Sequence, residues 1–281
     1  MTGSIKLPRL IMMLAISVLP AACATNPYTH RSQLIMMSEA EDTQMGLQAF
    51  QSQLQQNAGK ISEDPLETAP VMRVAERIVD AAMRSRYADA AKRFQWQVVV
   101  IKDRMANASC LPGGKITVYT GILPVAANED GLAAILGHEI AHALARHGAE
   151  RVSQTSLAQL GMAGANLAMA SQSVNRNTQQ QVMQALALGA QYGVLLPYSR
   201  EHESEADYIG LLLAAQAGYN PEESVRVWQR MEQAGGQQPP EFLSTHPSHG
   251  TRIGQLQQWM PEALSHYRAA RQTSRDCRRG C

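Results

Sequence analysis

The string His138-Glu139-Ile140-Ala141-His142 constrains this chain more than any other feature. It lies in a stretch whose apolar residues, Leu132, Ile135, Leu136, Ile140 and Leu144, fall at helical spacing. Asn128 is placed to cap that helix, Glu129 and Asp130 occupy its first turn, and Gly148 is the expected stop. At about 100° per residue, His142 sits only about 40° round from His138 and one turn along, so both imidazoles share a face and can grip one tetrahedral Zn²⁺. Glu139, about 100° away, can reach a water on that ion rather than the ion itself.

Two imidazoles leave such a site short of ligands. His147 is about 180° round from His138 while the helix continues, and Ala145 and Gly148 break the HExxHxxGxxH register. It therefore reads as a surface or C-terminal-turn histidine at the negative end of the helix dipole. Downstream, Arg200-Glu201-His202-Glu203-Ser204-Glu205-Ala206-Asp207 offers carboxylates at the start of a helix expected from about Arg200 to Gln216. Glu203 and Asp207 are four apart, so the first can bind the metal while the second accepts the free N–H of a ligating histidine. Glu205 has Ile209 at that spacing and makes a poorer pair, and Glu201 reads as dipole stabilisation at the helix start.

The remainder supports a folded, helix-rich protein. With 45% hydrophobic residues in 281, the chain can bury a sizeable core, and 5% aromatic residues beside fourteen Met suggest a core of Ala, Leu, Val and Met. The net charge of +1 lacks the basic footprint of a nucleic-acid binder, and no nucleic-acid partner is expected. Val71 to Arg86 carries a helical apolar stripe, and Val98 to Ile101 and Ile116 to Tyr119 read as neighbouring strands around the turn signal Pro112-Gly113-Gly114. Val152 to Ala170 and Val182 to Leu196 are Ala- and Met-rich but interrupted by polar residues, so a helical hairpin in water is expected rather than a membrane span. A further helix runs from Pro221 to about Met231, followed by a Gly- and Pro-rich loop.

At the amino terminus, Lys6 and Arg9 precede an apolar run from Leu10 to Leu19 and the small residues before Cys23, the pattern of a secretory signal. Leu19-Pro20-Ala21-Ala22-Cys23 resembles a bacterial lipobox, with Cys23 as the acylated first residue. The expected divisions are a signal peptide over 1–22, a polar helical segment over 23–65, a metallopeptidase domain over 66–262 and a basic tail over 263–281 containing Cys277 and Cys281.

Several motifs in order resemble the HExxH…ExxAD gluzincin endopeptidases, which include the HtpX heat-shock proteases, the CAAX prenyl endopeptidases and soluble periplasmic bacterial lipoproteins. The resemblance covers roughly Phe94 to Met260. It rests on Asn107-Ala108…Pro112-Gly113-Gly114, Val118-Tyr119-Thr120-Gly121, His138-Glu139…His142, Tyr198-Ser199-Arg200 leading to Glu203…Ala206-Asp207, and His246-Pro247…Arg252-Ile253. Ser109 replaces the usual aromatic residue after Asn-Ala. The resemblance implies an α+β, mostly helical, zincin-like fold with a small sheet beside the HExxH helix. It also implies one Zn²⁺ held by His138, His142 and Glu203, with Glu139 as general base and Asp207 behind a ligand.

The expected activity is hydrolysis of peptide bonds in misfolded or unassembled proteins by a metal-activated water. Substrates are extended peptides that pair with the strand at Asn107 and Ala108. His246 is placed either to hydrogen-bond the developing oxyanion or to occupy the open zinc position and keep the enzyme latent, and Arg252 to anchor the same loop. His30, His202, His249 and His266 have no assigned role and are expected in solvent. The expected location is the bacterial envelope, on the periplasmic side of the outer membrane, with a lipid anchor on Cys23. The rival reading is an envelope assembly chaperone with a non-catalytic zinc, although such a site has no use for Glu139.

Overall fold

The structure is a computed structural model and describes residues 23–172, 174–191, 195–234, 242, 246 and 250–279. The expected signal peptide lies outside these residues, as does His249. The chain opens with a hairpin of β1 (Cys23–Thr25) and β2 (Ser32–Leu34). Then come α1 (Glu39–Gln56), α2 (Pro65–Ala82) and α3 (Ala88–Arg93). The first starts sharply because Ser38 and Glu41 form a capping box, each side chain bonding the other's backbone N–H. The second starts at Pro65 behind an Asp64 cap, six residues before the expected stripe, because proline at the first helical turn costs no hydrogen bond.

Strands β3 (Gln97–Ile101), β4 (Ala108–Leu111) and β5 (Lys115–Tyr119) form a sheet of order β3-β5-β4. The two strands expected from the sequence do pair, in parallel, and β5 is buried along its length. Strand β4 folds back antiparallel on β5 and forms the sheet's edge. A short helix α4 (Leu123–Ala126) leads to α5 (Glu129–Leu144), which carries the HExxH string and is capped by the Asn128 side chain. Helices α6 (His147–Ser171) and α7 (Arg176–Ala190) make the expected hairpin. They are followed by α8 (Leu196–Gln216), α9 (Glu222–Ala234) and α10 (Arg252–Arg279). Among the described residues no helix is long and apolar enough to cross a membrane.

Helix α5 runs through the middle of the core, against α2 and α8 as well as the sheet. Its closest neighbour is α8, and glycines set the approach: a Cβ on Gly137 would stand 2.7 Å from the Gly210 carbonyl oxygen, and one on Gly210 2.6 Å from the His138 amide nitrogen. Only glycine lets two helix backbones meet so tightly. The contact places the turn carrying His138 against the helix that carries Glu203. The architecture is the expected mostly helical, zincin-like α+β fold with a small sheet.

Candidate metal centre

The side chains of the site arrive from four segments of the chain. His138, Glu139 and His142 come from α5, Glu203 and Asp207 from α8, Arg252 from the first residue of α10, and His246 from the segment before it. Imidazole Nε2 atoms of His138 and His142 lie 3.0 Å apart. His138 Nε2 is 3.3 Å from Glu203 Oε2 and 3.2 Å from His246 Nδ1, while His142 Nε2 is 3.5 Å from Glu203 Oε1 and His246 Nδ1 is 3.0 Å from Glu203 Oε2. Zinc bonds of about 2.0–2.1 Å at tetrahedral angles separate neighbouring donors by about 3.3 Å. The four donors, all within 4.8 Å of one another, therefore match such an ion in spacing and in chemistry.

The electrostatics favour positive charge here. Burial alone would lower the His138 pKa, but hydrogen bonds to Asp207 and Glu203 outweigh it and raise it to about 9. Burial opposes the Glu203 charge too, yet the imidazoles of His142, His138 and His246 hold its carboxyl far below the ordinary range. His142 moves the other way: burial drives its pKa well down, leaving the neutral ring that a metal ligand requires. Glu139 is 3% exposed, and burial, only partly offset by His246 and His138, raises its pKa. Its Oε1 makes no hydrogen bond and lies 3.4 Å from His246 Nε2, on the cluster side.

Asp207 lies where the spacing argument put it, with Oδ1 3.0 Å from His138 Nδ1. Arg252, expected as a loop anchor, reaches into the site. It is buried between the two carboxylates, with Nη2 donating to Asp207 Oδ1 at 2.8 Å, Nη1 3.2 Å from Glu203 Oε2, and its guanidinium 3.4 Å above the Trp228 ring. Burying such a cation is tolerable only because both acids face it. Asn107 caps the start of β4 by accepting the Ala108 N–H on Oδ1, and its carbonyl accepts the Tyr119 N–H from β5. By alternation, the Ala108 carbonyl points away from β5, towards the open edge. The neighbouring Ala106 carbonyl accepts the N–H of Phe242, whose ring stacks on His246 at 4.6 Å.

Four expectations about single residues need correction. His147 is 1% exposed rather than on the surface, because α5 does not run on to Gly148: Arg146 takes a left-handed φ of 55°, and α6 begins at His147. Sequence pattern gave no warning, since a non-glycine residue in that conformation is uncommon. His202 is likewise 1% exposed, with Nε2 2.9 Å from Glu150 Oε2. Glu201 is not at a helix start, because α8 begins at Leu196 with Pro197 in its first turn. His30 is exposed as expected, whereas His266 is half-buried.

Comparison with known proteins agrees with this geometry. The model of Peptidase family M48 matches residues 65–260. The mitochondrial metalloendopeptidase OMA1 of Schizosaccharomyces pombe is 40% identical over 214 residues, covering 75% of this chain and 56% of that relative. The protein of the same name from Saccharomyces cerevisiae is 32% identical over 272 residues, covering 90% of this chain and 75% of its own. The β-barrel assembly-enhancing protease of Escherichia coli is 28% identical over 224 residues, 77% of this chain and 43% of its own. The chain thus spans little more than half the length of the fission-yeast relative. The bacterial-envelope location does not stand, because the relatives of higher identity carry mitochondrial names, and the lipid anchor on Cys23 has no support from them. Helix-borne imidazoles, a facing carboxylate and these matches together place the chain in Peptidase family M48, a family of metalloproteases.

Proposed function

We propose that the chain is a zinc-dependent endopeptidase that cleaves misfolded or unassembled protein chains and rests in a latent form. The observation that carries this reading is the buried Glu139 carboxylate, without a hydrogen bond at Oε1 and beside a donor set spaced for zinc. His138, His142 and Glu203 hold the ion. Bound there, zinc supplies Lewis acidity that lowers the pKa of water towards about 7 and polarises a peptide carbonyl. Glu139 takes the proton from the attacking water and returns it to the leaving amine, a task helped by its raised pKa. Asp207 fixes the His138 ring through Nδ1, and Arg252 holds both carboxylates in place. The open edge of β4 at Ala108 accepts an extended substrate through backbone hydrogen bonds.

Latency follows from His246. Its Nδ1 lies among the donors of His138 and Glu203, so it would compete with water for a bound ion, and Phe242 bonds the backbone next to the substrate edge. The same four donors also support a second reading, a binding factor with a closed zinc site. Zinc content and cleavage of an unfolded protein, measured on wild type, Glu139→Gln and His246→Ala, separate them. Latent peptidase predicts zinc retained in all three, cleavage severalfold higher in His246→Ala, and none in Glu139→Gln. Undiminished cleavage by Glu139→Gln rejects the assigned base, and zinc loss from His246→Ala without any cleavage favours the binding factor.

A further inference from the structure

Behind His142 lies a buried polar chain that the metal site itself does not use. His147 Nδ1 is 2.9 Å from His142 Nδ1, and His147 Nε2 is 3.1 Å from Glu205 Oε2. Glu205 in turn accepts Arg31 Nη2 at 2.6 Å and the Thr29 hydroxyl, and Arg31 also grips both oxygens of Glu150, at 2.7 and 2.8 Å. His202 stacks on His147 with ring centroids 4.4 Å apart and bonds Glu150. Thr29 and Arg31 belong to the N-terminal hairpin, outside the residues matched by the family.

We propose that His147 is a positioning residue that fixes the orientation and tautomer of the ligand His142, with Glu205 and the hairpin residue Arg31 holding it in place. The inference rests on the zinc-site reading above. Proton positions follow from the one end of the chain that cannot donate. Glu205 is an acceptor, so His147 carries its proton on Nε2 and donates it there. His147 Nδ1 is then a bare lone pair, and the atom facing it, His142 Nδ1, must be the N–H. That leaves the His142 Nε2 lone pair directed at His138 and Glu203, as a ligand requires. His138 receives the same support directly from Asp207. Helix α8 thus serves both imidazoles: Glu203 joins them, Asp207 backs the first, and Glu205, about 200° round from Glu203, backs the second through His147.

The test is the zinc affinity of the full chain by chelator competition, with the thermal midpoint of the metal-free form recorded beside it. His147→Phe keeps the ring and removes the acceptor, and should weaken zinc binding about 10–100-fold with little change in the metal-free midpoint. His147→Gln, whose side-chain oxygen can accept the same proton, should recover part of the loss, and Glu205→Gln should lose a few-fold while still binding one ion at saturation. Zinc affinity within about twofold of wild type in His147→Phe, or equal losses in Phe and Gln that track a fallen midpoint, would overturn the inference. If His147→Phe does not fold, an unchanged affinity in Glu205→Gln does so alone. A wild-type chain that binds no zinc would instead remove the metal-site reading beneath it.

Discussion

Asp207 shows how much a single carboxylate can carry at this site. It accepts from His138 Nδ1 at 3.0 Å while paired with Arg252, so it orients the His138 ring and neutralises a buried cation at once. Asp207→Asn keeps an acceptor but turns an amide N–H towards the guanidinium. Zinc affinity should fall about 10–100-fold in chelator competition, and an unchanged affinity would mean that His138 needs no such support. The placement of Glu203 and Asp207 beside His138 was legible in the sequence because both residues lie on one helix, where four-residue spacing fixes a shared face. His147 and Arg252 were not legible for the same physical reason in reverse. The position of the first depends on one backbone angle at Arg146, and that of the second on the packing of α10 against α8.

At the scale of elements, the decisive contact is the crossing of α5 and α8 at Gly137 and Gly210. Without it Glu203 would sit on a helix too remote to complete the pair of imidazoles. Gly210→Ala sets a methyl against the His138 amide, 2.6 Å away, and should cost about 1–3 kcal/mol of stability. Because the strain falls on the metal helices, zinc should leave the variant more readily as well. Chemical denaturation with and without zinc measures both effects, and a variant as stable and as tightly metallated as wild type would show that the helices can part at no cost. Sequence periodicity identified α5 and the paired strands, since each has a repeating apolar pattern, and composition alone, Ala- and Met-rich but broken by polar residues, pointed to the α6–α7 hairpin. Periodicity missed the glycine crossing, which no period encodes, and the edge strand β4 was expected only around Asn107 and Ala108, because its four residues are too few for alternation to register.

On the scale of the whole molecule, the N-terminal hairpin is stitched to the peptidase body through Arg31 and Glu150. Burial opposes the Glu150 charge, but hydrogen bonds from Arg31, His202 and Gln33 hold its carboxyl well below the usual 4.5. A depressed folded pKa adds stability that is fully present above about 4.5 and is lost as the pH falls below it, because the unfolded chain then binds more protons. The thermal midpoint should therefore drop on acidification below about pH 4.5, and Glu150→Gln should flatten that dependence. An equally steep drop in the variant would place the acid sensitivity elsewhere.

The central claim is that Glu203, brought across from α8, completes a zinc site with His138 and His142. Zinc titration of the full chain against Glu203→Gln tests it most directly. The account predicts one tightly bound ion in the wild type and a loss of binding in the variant, and a variant that holds one zinc as tightly as wild type would contradict it.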